Sequence, residues 1–259
     1  MIAGTYPFGS KLRAVVQQDR APKRVFVLGV YASAVHAKWI GPRNRMLVQA
    51  LAVASEPSIF WDGSGVEAIL RGIRVPKDAG HLEPAEPKFN GPSGRSLDED
   101  FLAPLRITRQ DTWLCDLVPH TCANDAQLAA IEREYTPRAK KLGLPPVSLP
   151  AVPKAFTDEA RRAEILGELV EARPEILVVF GDQPLLGWVR HVTKAPSKLS
   201  AYGESPDTYG RLHDVEIGGR ALKLLPLAHP RQVAGLGTHS GAWRKLHRHW
   251  VTEVAPGLL

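Results

Sequence analysis

"EILVVFGDQPLLGWVRHV", residues 175–192, decides the fold. "EILVVFG", residues 175–181, is a short apolar run rich in β-branched residues. That is the pattern of a strand covered on both faces rather than half-exposed. Gly181 closes the run and Asp182 opens a helix, with its carboxylate at the positive end of the helix dipole. A buried strand feeding straight into a helix is the repeating unit of a parallel α/β sheet. The same reading fits "RVFVLGV" (24–30) and "TWLCDLVPH" (112–120).

Outward from these strands, the spacing of apolar residues predicts helices over 44–54, 66–73, 125–143 and 157–174, with Asn124 capping the third and Thr157 the fourth. "PSIFWDGSG" (57–65) reads as extended chain ending in glycine. Residues 76–100 and 194–210 are polar and read as surface loops, and the proline-rich 144–156 as an ordered loop. Residues 212–230 read as a hairpin turning at Gly218-Gly219, and the last helix runs from about Ser240 to Val254. No internal repeat is present. The expected architecture is a single α/β domain over 1–259, a three-layer α/β/α sandwich around a mostly parallel sheet.

Composition narrows the function. Lys and Arg total 33 against 27 Asp and Glu, a net charge of +6. That excess suits a polyanionic partner without establishing one. The two cysteines, Cys115 and Cys122, cannot build a four-cysteine zinc or iron–sulfur centre and read as small residues of a reducing compartment. The first ten residues lack a basic region followed by an apolar run, and no apolar stretch approaches about 20 residues. A cytoplasmic monomer is therefore expected. His239, His247 and His249 invite a metal, but positions 247 and 249 do not share a helix face and no carboxylate stands at ligand spacing, so no metal and no cofactor are expected. "GLGTHSG" lacks the lysine of a phosphate loop, and Ser33 lies outside a Gly-x-Ser-x-Gly elbow.

In α/β sheets, ligands sit beyond the carboxyl ends of the strands. One such end is "LLPLAHPRQVAGLGTHSGAWRKLHRHWV" (224–251). His229 ends an apolar run and is followed by Pro230, a glycine-rich loop and a basic helix. Either His229 only satisfies backbone groups at a loop, or it carries chemistry. The loop can approach another molecule closely. Val233 and Leu236 at its tip suit wedging between stacked bases beside Arg231 and Gln232, and Thr238, Ser240 and the amides of the last helix suit a phosphate.

This arrangement resembles the second signature motif of the uracil-DNA glycosylase superfamily. That motif begins His-Pro-Ser, where this chain has His229-Pro230-Arg231, and in one branch a long loop runs into Gly-Trp, where this chain has Gly241-Ala242-Trp243. "LGVYASAVH" (28–36), "WLCDLVP" (113–119) and "VVFGDQP" (178–184) are similar to three further motifs, in the same order. The resemblance implies hydrolysis of the bond between uracil and deoxyribose in DNA, for base excision repair, with hypoxanthine and xanthine as further substrates. It implies His229 as stabiliser of the leaving base, Gly29, Val30 and Tyr31 as pocket wall, Phe60 as stacking ring and Asp116 with Asn124 as readers of the base edge. For Phe60, core packing is the competing reading.

The departures are as specific as the matches. Residues 29–34 hold none of the acids or amides that position water in the common branches. Ser33 or Ala32 stands where a tyrosine excludes the thymine methyl, and Asp116 replaces the base-reading asparagine. Asp62, Asp116 and His36 are the residues to test as substitutes for the missing acid. The alternative is a relative that binds DNA or a nucleobase without cleaving it. A nucleoside- or nucleotide-directed enzyme of the same fold is a third reading.

Overall fold

The computed structural model describes residues 4–236 and 240–259. Its strands are β1 (Val25–Tyr31), β2 (Ala34–Ile40), β3 (Met46–Ser55), β4 (His81–Pro84), β5 (Thr112–Val118), β6 (Ile176–Phe180), β7 (His213–Ile217) and β8 (Arg220–Leu227). The helices are α1 (Val66–Arg71), α2 (Pro92–Ser96), α3 (Asp125–Ala130), α4 (Thr136–Leu142), α5 (Glu159–Ala172), α6 (Asp182–Pro184), α7 (Arg190–Val192), α8 (Pro230–Val233) and α9 (Ser240–His249). Wider π-type turns continue α2 through Leu97–Leu102, join α3 to α4 and α6 to α7, and extend α9 through Trp250–Val254.

The chain forms two compact units. One comprises residues 1–15, 31–92 and 119–154, and the other 16–30, 93–118 and 155–259.

The second unit holds a five-stranded sheet ordered β5-β1-β6-β8-β7. β1, β6 and β8 run parallel, and β7 turns back against β8. The helices cover both faces, so the α/β sandwich expected from the sequence is the architecture found. Every residue of β5 and β6 is buried. Trp113 of β5 stacks on Phe26 of β1 at 6.4 Å and donates its indole N–H to Glu168 of α5 at 3.0 Å. On the opposite face, Phe180 of β6 meets Phe101, edge to face, at 4.8 Å. Pro226 sits inside β8, but β7 pairs only as far as Leu224, so on that side no ladder bond is lost. β5 is an edge, and side chains take up its backbone groups. Gln17 accepts from Leu114 N–H at 3.1 Å, and Arg161 donates to the carbonyls of Asp116 (2.7 Å) and Leu117 (3.1 Å).

The first unit carries a three-stranded antiparallel sheet, β3-β2-β4. Its core gathers Phe8, Trp39, Trp61 and Tyr135. Phe8 stands edge-on to both Trp39 (5.4 Å) and Tyr135 (5.3 Å).

Four local expectations are corrected. Residues 44–54 form β3 and not a helix. Met, Leu, Gln and Ala favour helix locally, but pairing with β2 prevails, and irregular register at three places removes the strict alternation that marks a strand. Residues 57–65 form tight turns, with Phe60 in the left-handed region at φ 51°. The 76–100 segment contains β4 and α2, and the turn that continues α2 buries Leu97, Phe101 and Leu102. The cap of α5 is Asp158, which accepts from Arg161 N–H at 2.8 Å, while the Thr157 hydroxyl donates to Gly187 C=O.

Candidate functional site at the carboxyl ends of the sheet

His229 follows β8 directly and caps α8. Its Nδ1 accepts from Arg231 N–H at 3.1 Å, and its own N–H donates to Gln232 Oε1 at 3.3 Å. A ring nitrogen that accepts carries no proton, so Nε2 is the protonated one. Burial, with Arg231 nearby, lowers the imidazole to about 4. His229 is therefore a neutral Nε2–H donor throughout the physiological range. Phe180 meets its ring at 6.4 Å, edge to face. Gly181, at φ 74° and ψ −167°, lets the chain turn from β6 into α6 beneath it, in a conformation that only glycine adopts readily.

Behind His229 lies a buried chain of hydrogen bonds. Ala228 N–H donates to Tyr209 Oη at 2.8 Å, and Tyr209 Oη lies 2.9 Å from His247 Nδ1. His247 Nε2 lies 3.0 Å from the carbonyl of Asp100, which can only accept. His247 thus carries its proton on Nε2, and its Nδ1 accepts from the tyrosine. Burial lowers His247 to about 4 and pushes the Tyr209 phenol up. Each polar group in this chain has a partner, and the chain ties α9 to the residue before His229. Nothing local in the sequence marks Tyr209 or this role of His247, because what pairs them is contact across about 40 residues of chain.

Asp116 is 4% exposed on β5. Alternation along β5 puts Trp113, Cys115 and Leu117 on the α5 face, so Asp116 lies on the other, with Phe180. Its carboxyl makes no hydrogen bond among the described residues. Burial raises it to about 7, with Glu168 adding to the rise and Arg161 opposing it. Asp116 is thus a second group tuned toward neutrality at the carboxyl ends. β1 and β6 separate β5 from β8, so it stands about 14 Å from the His229 strand at three strand spacings of about 4.8 Å. Gly29 and Val30 end β1 between them.

The loop after His229 differs from its expectation. Val233 is buried at 6% and is no wedge, because α8 turns it inward. Leu236 is exposed at 40%. Arg231 is bent back, its Nε donating to Leu236 C=O at 3.3 Å. Gln232 serves the His229 backbone. Ser240 begins α9 and is partly exposed. Gly237, Thr238 and His239 lie outside the described residues, and with them the phosphate role of Thr238 and part of the histidine cluster. Among the described residues, no group of three His, Cys, Asp or Glu is placed to hold a metal, and no helix is long and apolar enough to cross a membrane.

The remaining expected residues belong to the first unit. Tyr31, the last residue of β1, is half-buried. Phe60 is buried in a left-handed conformation that costs a bulky residue about 1–3 kcal/mol. Asp62 Oδ1 accepts from Ser64 N–H at 2.8 Å, and a Cβ added to Gly91 would lie 2.1 Å from the Asp62 carbonyl carbon. That gives Asp62 the work of a turn residue. His36 is buried in β2, and its Nε2 accepts from the Gln127 amide at 3.0 Å. Asn124, an exposed residue, caps α3 through its Oδ1, in a reciprocal pair with Gln127. The sequence reading missed Glu56. This buried carboxylate follows β3 and accepts from Ser33 N–H at 2.9 Å, so an acid reaches the first motif from another strand. Reading 46–55 as a strand would have placed Glu56 at a strand end.

The fold and this donor define an α/β protein with a polar, neutral-poised cluster where such sheets take ligands. The chain matches no protein-family model and no curated protein.

Proposed function

We propose that this chain is a monofunctional DNA glycosylase that releases uracil from DNA. The observation that carries the reading is His229, a half-buried imidazole whose free nitrogen is fixed as a donor by its own helix cap. Breaking the N-glycosidic bond leaves the electron pair on the base, which departs as an anion, while water adds to C1′ and gives up a proton. A preformed donor aimed at the base oxygen stabilises that charge without reorganisation. Remaining neutral suits the task, since the hydrogen bond strengthens as negative charge grows. Gly29 and Val30 offer backbone as a pocket wall, and Asp116, titrating near neutrality, reads a base edge in either protonation state. Ser240 and Leu236 mark the loop that would meet DNA.

Purified protein incubated with single- and double-stranded oligonucleotides carrying uracil, hypoxanthine or xanthine, then treated with alkali, tests this. Strand breaks that fall about 10²- to 10³-fold in His229→Ala are expected. Bound DNA without breaks on any substrate would instead favour the non-cleaving relative, which the absence of an acid at residues 29–34 supports. Tyr31, Phe60, Asp62 and Asn124 are tested singly in the same assay.

A further inference from the structure

The charge excess is not spread evenly. The first unit contains fourteen Lys and Arg against nine Asp and Glu, a net of +5, which leaves +1 for the second unit. Both units pair some of their cations, among them Arg20, Arg109 and Arg161 in the second and Lys88, Arg133 and Arg138 in the first. In the first, Arg43, Arg45, Lys77, Lys140 and Lys141 are exposed and make no ion pair among the described residues.

These five are brought together by packing. Arg43 and Arg45 sit on the turn between β2 and β3, where Arg43 and Asn44 both adopt left-handed conformations (φ 60° and 56°). Two such residues in succession hold the turn in a defined, outward shape at a local cost. Met46, next along, is 52% exposed. The turn Lys77–Ala79 lies against the base of this hairpin. Trp39 of β2 donates its indole N–H to Ala79 C=O at 2.7 Å, and a Cβ on Gly80 would lie 1.9 Å from the Ile40 carbonyl. The helix α4, which carries Lys140 and Lys141, packs on the same turn, and its Arg138 lies over the Trp39 ring at 5.7 Å.

We infer that this face of the first unit, from the β2–β3 turn across Lys77 to the end of α4, is a binding surface for the phosphate backbone of a nucleic acid. Unpaired cations gathered on neighbouring elements form the electrostatic footprint of such a partner. The exposed Met46 beside two arginines is the kind of apolar contact that minor-groove proteins add. The inference goes beyond the glycosylase reading, because it concerns residues outside the His229 cluster and undamaged DNA.

The test is the salt dependence of binding to a uracil-free duplex of about 20 base pairs, read by fluorescence anisotropy. The probes are the wild type and an Arg43→Gln/Arg45→Gln/Lys140→Gln/Lys141→Gln variant. Each phosphate neutralised steepens the plot of log K against log salt by about 0.9. Four contacts therefore make the wild type lose about 10²-fold more affinity than the variant between 50 and 200 mM salt. An Arg24→Gln/Lys223→Gln control, which removes paired cations, should keep the wild-type slope. Equal slopes for wild type and the fourfold variant would overturn the inference. So would a wild type that binds phosphatidylserine vesicles but not duplex. Because the duplex holds no uracil, its binding tests this surface alone, and the glycosylase reading stands or falls on the separate cleavage assay with uracil-containing oligonucleotides.

Discussion

Tyr209→Phe removes one oxygen atom and leaves the ring in place against Trp243 and His247. That oxygen serves two buried groups, accepting from Ala228 N–H and donating to His247 Nδ1. Neither has another partner among the described residues, and the site is closed to water, with Tyr209 and His247 each 1% exposed. A buried polar group left unpaired costs about 1–3 kcal/mol. Two such groups, less the gain from no longer dehydrating a hydroxyl, make a loss of about 2–4 kcal/mol. For a unit of roughly 150 residues that lowers the Tm by about 5–15 °C. Two further effects identify the cause. The Ala228 amide should exchange with solvent at least tenfold faster. His247, no longer receiving a hydrogen bond on Nδ1, should titrate above its present value of about 4 in an NMR titration. A Tm within about 1 °C of wild type together with unchanged Ala228 exchange would refute the reasoning, since the hydrogen-bonded chain would then not hold the His229 strand end.

Other outcomes follow from single groups. Asp116 has a folded value near 7 against an ordinary 3.8, so between those values the unfolded chain has lost a proton that the folded chain keeps, and stability falls as pH rises through that window. Asp116→Asn should therefore stabilise the protein at pH 8 by up to about 4 kcal/mol and flatten its urea midpoint between pH 4 and 7. His229 is neutral above about 4, so in an Asp116→Asn background, which removes the carboxyl that titrates near 7, the rate of base release from uracil-containing oligonucleotides should show no inflection near the usual histidine range around 6.5. Gly91→Ala places a Cβ against the Asp62 backbone at a φ of 70°, and a drop in Tm of several degrees, with tryptophan emission altered because Trp61 adjoins the same turn, is the expected readout.

What the sequence disclosed followed from how local the determinants were. β1, β5 and β6 are continuous apolar runs, and each emerged with boundaries shifted by a residue or two, because burial on both faces leaves no alternative pattern. The capping box at Asn124 and the turn at Gly218-Gly219 were legible for the same reason, since a few adjacent residues specify them. β3 was not, because its helix-forming composition is overridden by pairing with β2, a partner that the local window does not contain. At the site, His229-Pro230 announced itself, but the tautomer depends on a backbone amide two residues away and had to come from geometry. Glu56 was hidden behind the misread β3. Val233 looked like a loop tip and proved to be a core residue, because α8 forms within what read as an open glycine-rich loop.

The lacing of β5 by Arg161 and Gln17 bears on how separate copies of the chain behave toward one another. A sheet edge with open carbonyls and amides is a template on which another molecule's strand can add, the first step toward fibrils or swapped dimers. On this edge, one guanidinium occupies two successive carbonyls and one carboxamide occupies an amide. The same Arg161 also holds Glu164 and Glu168, so its position is fixed by charge as well as by the strand. Replacing it would uncover the outer rim of the sheet while leaving the core intact, and the consequence would be self-association rather than unfolding, growing with protein concentration and visible in light scattering before any change in the melting curve.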